Sequence, residues 1–107
     1  MYLEEGKRAL EYLSDPLSTA RKVKGVLRSI REDISVYLFG SSLEGRYTAA
    51  SDIDILAVVE GGLSEGERAR IKALVYSAID APIELHVITR DELERWYSRF
   101  VGSALEV

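Results

Sequence analysis

The chain has 107 residues, about the size of one domain, with 47% hydrophobic and 30% charged residues. This composition excludes a disordered or fibrous protein, and the lack of cysteine excludes disulfides and thiolate metal sites. The net charge of −4 disfavours generic nucleic-acid binding, because such binding depends on neutralising phosphates with Lys and Arg. No apolar run reaches the length of a membrane span and no secretion signal opens the chain. We therefore expect no membrane contact and a cytoplasmic location.

Three helices are predicted where capping residues precede an apolar period of 3.6 residues. The first begins at Asp15-Pro16, and the second begins with the capping box Ser64-x-x-Glu67. The apolar stripe predicted for the first helix is Ala20, Val23, Leu27, Ile30 and Ile34. For the second helix, the residues predicted to be buried are Ile71, Leu74, Val75, Ala78 and Ile79. A further short helix is predicted over residues 3 to 13.

The third helix is predicted to begin with another capping box, Thr89-x-x-Glu92. Its apolar residues are Leu93, Trp96, Tyr97, Phe100 and Val101. We interpret this stripe as core, and a dimer or partner surface is the alternative.

Three short β-rich runs cover residues 35–39, 52–59 and 82–88. The last two flank the second helix, so as neighbours in a sheet they run parallel. Residues 40–51 are too few for a full crossover, but they allow an antiparallel return with one helical turn. We therefore predict a single domain over residues 1–107 of the α/β (α+β) class. It has a small mixed three-stranded sheet with helices packed on it, in the order ααβ(α)βαβα.

Asp52 and Asp54 open a strand that is otherwise apolar. Residues two apart in a strand share a face and lie about 6.6 Å apart, so the two carboxylates converge. If the second and third strands are parallel neighbours, Glu84 lies beside Asp54. Three acids this close repel one another unless a cation is present, and Mg²⁺ prefers oxygen ligands that it shares with substrate phosphates. The sequence therefore predicts a magnesium site.

Gly40 and Ser41 reach the same edge of the sheet through the antiparallel return. Gly40 permits a close backbone approach, and Ser41-x-x-Glu44 is typical of a capping box whose free N–H groups favour an anion. Arg46 is the one cation in this loop, and it is either a ligand of the phosphates or a surface arginine. Two metal ions between acids and phosphates would stabilise an in-line displacement. Taken alone, the Gly-Ser pair and a following Asp also fit a hairpin turn.

These residues resemble the minimal nucleotidyltransferases (MNT) of the DNA polymerase beta-like superfamily. The hallmark of that family is Gly-Ser, ten intervening residues and Asp-x-Asp, which Gly40-Ser41, residues 42–51 and Asp52-Ile53-Asp54 match without a gap. The resemblance implies Mg²⁺-dependent transfer of a nucleoside monophosphate, AMP from ATP, to a hydroxyl acceptor.

The resemblance also implies roles for individual residues. Asp52 and Asp54 would bind metal, Glu84 would bind metal and help to deprotonate the acceptor, and Gly40 with Ser41 would hold the triphosphate. The third acid is more often aspartate in this family, and the longer glutamate could move the metal or weaken the role of general base.

The resemblance further implies a protein partner. Larger relatives carry a second domain that holds the acceptor, and we expect none in a chain that ends at Val107. Proteins that resemble this one often pair with a small helical HEPN-type toxin and act as its antitoxin by attaching AMP to it. The oligomeric state stays open, a homo-oligomer included.

Two other functions remain as alternatives. The chain could be a binding module that keeps the fold and neutralises its partner by contact. A phosphoacceptor receiver domain also uses clustered acids with Mg²⁺, but its site lies at the carboxyl ends of strands, whereas these acids begin theirs. His86, the only histidine, shares the predicted face of Glu84. It could orient a phosphate or touch the metal, and a packed structural histidine is the alternative.

Overall fold

Four strands and three helices make up the described part of the fold. The computed structural model describes residues 15–39, 53–97 and 104–107, without the side chains of residues 96 and 97. The helices are α1 (Pro16–Ile30), α2 (Glu65–Ala78) and α3, a turn at Arg90–Glu92 that continues as a π-helix over Leu93–Tyr97. The strands are β1 (Ile34–Phe39), β2 (Ile53–Val59), β3 (Ile83–Thr89) and β4 (Leu105–Glu106). None of the described helices is long and apolar enough to cross a bilayer.

The sheet is mixed, with the strand order β3-β2-β1-β4. Strands β2 and β3 run parallel, and β1 is antiparallel to both β2 and β4. The predicted mixed sheet, the parallel pair and the antiparallel return are therefore confirmed. The prediction of three strands is wrong, because β4 pairs with β1 at the edge of the sheet. With only two residues, both exposed, β4 is too short to show the alternation that identifies a strand in a sequence.

The two faces of the sheet are packed differently. Helices α1 and α2 cover one face, where buried side chains from β1, β2 and β3 meet Val23, Leu27, Ile71 and Val75 in the main core. The opposite face carries a smaller apolar cluster. Its members are Tyr37, Phe39, Leu56, Val58, Ile88 and Leu93. Successive residues of a strand point to opposite faces, so one pattern of alternation builds both clusters.

The predicted starts of the helices are confirmed. The Asp15 side chain accepts a hydrogen bond from the Ser18 N–H at 3.2 Å, with proline at the first helical position. Ser64 Oγ likewise accepts from the Glu67 N–H at 3.1 Å. At α3 the capping box is complete, since Thr89 and Glu92 exchange side-chain to backbone hydrogen bonds. The Thr89 N–H and Arg68 hold the pKa of Glu92 below its ordinary value.

The predicted apolar stripes need three corrections. Helix α1 ends at Ile30 because Arg31 takes an extended conformation, so Ile34 opens β1 instead of extending the helix. In α2, Leu74 is 38% exposed and Ala78 is exposed as well. Only one side of α2 packs against the sheet. The buried residues on that side are Ile71 and Val75, about one helical turn apart. The predicted helix over residues 3–13, the turn after Ser41 and the residues from Phe100 to Val101 lie outside the described residues.

Arg31 ties the end of α1 to the loop that follows β2. Its guanidinium donates to both carboxylate oxygens of Asp33, at 2.9 and 2.8 Å, to the Gly62 carbonyl and to Glu67. The Gly61 N–H donates to Asp33 at 3.0 Å. A Cβ on residue 61 would lie 3.1 Å from both Arg31 and Asp33, so this close approach favours glycine.

Stability is expected to fall at acid pH partly through Asp33. Its pKa lies below the ordinary value of 3.8, chiefly because Arg31 donates to the carboxylate and also because the Gly61 N–H does. A carboxyl group whose pKa is depressed on folding stabilises the protein above its unfolded pKa, and this contribution is lost as the pH falls through the folded pKa. Between pH 7 and pH 2.5, the free energy of unfolding of Asp33→Asn should therefore fall by about 0.5 to 1 kcal/mol less than that of the wild type.

Urea unfolding at the two pH values measures this difference. The matched control is Glu32→Gln, which neutralises the exposed neighbouring carboxylate and should follow the wild type. An equal acid-induced loss in Asp33→Asn and the wild type would contradict the role of the Arg31–Asp33 pair.

Side chains from α2 cover part of the outer edge of β3. The Leu85 N–H donates to the Tyr76 hydroxyl at 2.8 Å, and Arg68 Nη1 donates to the Val87 carbonyl at 2.6 Å. Arg68 is held in turn by carboxylates of Glu65 and Glu92, each at 3.1 Å. Edge strands with free backbone groups invite pairing with other chains, so these contacts protect the strand that carries Glu84.

Candidate functional site

Two carboxylates stand side by side where β2 and β3 begin. Asp54 and Glu84 are each the second residue of their strand, and they are partners in the parallel register. Their side chains therefore lie on the same face, at the amino-terminal ends of the strands. Asp54 is half-buried and Glu84 is exposed. The site is thus open to solvent on the side of Glu84.

His86 completes a group of three ligating side chains. It lies two residues after Glu84 and opposite Leu56, which places it on the same face. Asp54, Glu84 and His86 each offer one ligand atom, and these atoms lie within 4.8 Å of one another. His86 Nε2 is 3.7 Å from Glu84 Oε1. The arrangement suits a divalent cation, which would relieve the repulsion between the carboxylates.

The acids lie at the margin of the smaller apolar cluster. Phe39 is the register partner of Asp54 across β1 and β2, and its ring centroid is 6.0 Å from that of His86. Leu56 follows Asp54 on the same face and is buried. A low-dielectric wall on one side strengthens the interaction between carboxylates and a bound cation.

The predicted site residues divide into two groups. Asp54 and Glu84 lie together, as the βαβ order of the elements predicts. Asp52, Gly40, Ser41 and Arg46 lie outside the described residues, so their roles stay predictions. No sequence motif predicts that Phe39 belongs to the site. Its position as the last residue of β1, before the return to β2, is the signal that would have identified it.

A cavity of about 440 Å³ lies at the opposite ends of the strands, where β2 and β3 terminate. It is lined by Glu60, Gly61, Gly62, Thr89, Arg90 and Asp91. Arg90 donates to the Glu60 carboxylate, which holds the pKa of Glu60 below its ordinary value and raises that of Arg90. Glu60 and Arg90 therefore pair with each other at the carboxyl ends of these strands, whereas Asp54, Glu84 and His86 lie together nearer the amino-terminal ends.

A family model described as nucleotidyltransferase domain matches residues 20–105. The match spans both β2 and β3, and with them Asp54, Glu84 and His86. No curated protein sequence matches the chain at a significant level.

Solved structures share the fold. A candidate nucleotidyltransferase of Sulfolobus solfataricus is 26% identical, with a TM-score of 0.64 and coverage of 92% of this chain and 85% of that one. A toxin–antitoxin structure with AMP-PNP is 22% identical, with a TM-score of 0.64 and coverage of 81% and 70%. A chain from the structure of a tri-AMPylated Shewanella oneidensis HEPN toxin in complex with MNT antitoxin is 21% identical, with a TM-score of 0.60 and coverage of 84% and 69%.

Proposed function

Because the chain belongs to the nucleotidyltransferase domain family and is a nucleotidyltransferase, we propose that it transfers AMP from ATP to a hydroxyl group of a protein partner. The observation that carries this proposal is the pairing of Asp54 with Glu84 in the register of β2 and β3. Metal-dependent nucleotidyl transfer requires the protein to supply neighbouring carboxylates that hold the metal, at a place that the substrates can reach from solvent.

In this reaction the acceptor hydroxyl oxygen bonds to the α-phosphorus of ATP, and the bond from that phosphorus to the bridging oxygen of pyrophosphate breaks. The Glu84 carboxylate accepts the proton of the hydroxyl, a role that its exposure allows. The pairing of β2 with both neighbours fixes the backbone of Asp54, so its carboxylate stays beside Glu84, where it would hold a metal ion. The family resemblance assigns Asp52 to the same site, and Gly40, Ser41 and Arg46 to the triphosphate.

The carboxylates of Asp54 and Glu84 fit Mg²⁺, because carboxylate oxygens are the ligands that this ion prefers. When bound, two Mg²⁺ ions would neutralise the carboxylates and the phosphate charge. Asp52, Asp54 and Glu84 would hold them.

The acceptor is proposed to be a small helical HEPN-type protein, for which this chain acts as antitoxin. The support is the likeness to toxin–antitoxin structures, one of which holds AMP-PNP and another a tri-AMPylated HEPN toxin with its MNT antitoxin. In this proposal residues 1–107 act as one catalytic domain.

Transfer of label from α-³²P-ATP to a co-expressed HEPN-type partner tests the function. Label should appear on the partner with Mg²⁺ and fall at least about 100-fold in Asp54→Asn, because the metal site loses a charged ligand. The matched control, Asp91→Asn, neutralises an exposed aspartate at the far ends of the strands and should retain transfer. Absence of label with the wild-type protein would refute the proposal.

The alternative is a binding module that neutralises the partner by contact. It predicts that Asp54→Asn protects cells from the partner as well as the wild type does. Loss of protection in Asp54→Asn, with the complex still formed, would exclude that alternative.

A further inference from the structure

We propose that His86 is a nitrogen ligand of the metal site formed with Asp54 and Glu84, and that this ligand makes the site bind Mn²⁺ more tightly than Mg²⁺. The inference rests on the proposed metal-dependent function and adds a residue and a metal preference to it. His86 is the one histidine in the chain, so its contribution can be isolated experimentally.

The distances allow a shared ion. Two ligand atoms that each lie about 2.1 Å from one ion can be at most about 4.2 Å apart. His86 Nε2 and Glu84 Oε1, at 3.7 Å, are already within that limit. The whole group of three lies within 4.8 Å, so movements below about 1 Å, within reach of side-chain rotation, complete the site.

The position of the imidazole is fixed by the fold. Alternation along β3 aims His86 and Glu84 to one side of the sheet, and Leu56 of the neighbouring strand lies opposite His86. The Phe39 ring is tilted by 46° to the imidazole, with a centroid distance of 6.0 Å. The His86 side chain nevertheless keeps 31% exposure. It is therefore packed on its apolar side and accessible to an ion on the other.

The chemistry of the donors sets the metal preference. Mg²⁺ is a hard cation that takes oxygen ligands and dehydrates reluctantly. Imidazole nitrogen suits first-row transition metals, and Mn²⁺ accepts carboxylate oxygens as well. A site of two carboxylates and one imidazole therefore gains more affinity for Mn²⁺ than for Mg²⁺.

Pulsed EPR of Mn²⁺ bound to the untagged wild-type protein tests the ligation directly. Inorganic tripolyphosphate is added in place of ATP, because it supplies phosphate oxygens and contains no nitrogen. A ¹⁴N coupling of the strength found for directly bound imidazole is expected, and only His86 can supply it. Bound Mn²⁺ without this coupling would overturn the inference.

Calorimetry of Mn²⁺ and Mg²⁺ binding tests the preference. In His86→Gln the Kd for Mn²⁺ should rise about tenfold or more, whereas the Kd for Mg²⁺ should change less than about threefold. The control, Lys72→Gln, alters another residue lining the 160 Å³ cavity beside His86 and should leave the ratio of the two constants unchanged.

The outcomes separate this inference from the proposed function. An unchanged Kd for Mn²⁺ in His86→Gln would overturn the role of His86, and equal weakening of both ions would overturn the metal preference; either result leaves the carboxylate site standing. No binding of either ion to the wild-type protein with tripolyphosphate would overturn both.

Discussion

Replacing Glu84 with glutamine is expected to lower kcat for nucleotidyl transfer by about 10²- to 10⁴-fold. Glutamine keeps the size of the side chain, but it cannot accept the proton of the acceptor hydroxyl and carries no charge for a metal ion. Glu84 is the register partner of Asp54 between β2 and β3, so the charge and the proton acceptor are lost within the proposed active site. Steady-state transfer to the partner, measured at saturating ATP and Mg²⁺, gives the ratio.

Glu106→Gln is the matched control, because it neutralises an exposed glutamate on β4, which two other strands separate from β3. Its kcat should equal that of the wild type. A second variant, Glu84→Asp, keeps the charge and shortens the side chain, and it should retain more activity than Glu84→Gln. Equal activity of Glu84→Gln and the wild type would exclude Glu84 from the reaction.

Replacing Ile55 with alanine is expected to lower the free energy of unfolding by about 3 to 4 kcal/mol. Ile55 is fully buried on β2, which is flanked by β1 and β3, and its side chain belongs to the core beneath α1 and α2. Truncation leaves a cavity that surrounding side chains from both helices and three strands cannot fill without moving. Urea unfolding monitored by circular dichroism measures the loss.

Leu74→Ala provides the comparison for Ile55→Ala. It is also a truncation of a large aliphatic side chain, but Leu74 is 38% exposed on α2. The loss should be below about 1 kcal/mol. Equal losses at the two positions would contradict the packing of α1 and α2 on one face of the sheet.

The sequence predicts the frame of this fold because its local signals agree with the tertiary structure. Asp15, Ser64 and Thr89 each cap a helix as predicted, since a hydroxyl or carboxylate satisfies an N–H that the helix leaves free. The short connection before β2 and the helix after it determine the antiparallel and parallel pairings.

What the sequence does not predict depends on long-range contacts. Strand β4 is defined by its pairing with β1. With only two residues, it is too short to show the alternation of apolar and polar residues that predicts a strand. Ile34 fits a helical stripe, but Arg31 leaves the helix to bind Asp33 and Glu67, contacts that no local pattern encodes. Leu74 is apolar and in phase with the stripe of α2, yet its side chain stays 38% exposed.

For the site, the sequence predicts which residues lie next to one another better than it predicts their chemical roles. The βαβ order puts Glu84 beside Asp54, and the alternation of β3 adds His86 to the same face. Whether an imidazole at that place packs or ligates depends on distances of a few ångströms, which sequence spacing does not determine. The roles of Asp52 and of the loop with Gly40, Ser41 and Arg46 stay predictions that rest on the family motif.

Anomalous diffraction from crystals grown with Mn²⁺ and a non-hydrolysable ATP analogue tests the central claim most directly. A metal peak should lie within about 2.3 Å of carboxylate oxygens from both Asp54 and Glu84, and should also contact the phosphates. A nucleotide-bound peak that neither carboxylate touches would contradict the account, because the two strands would then not share an ion.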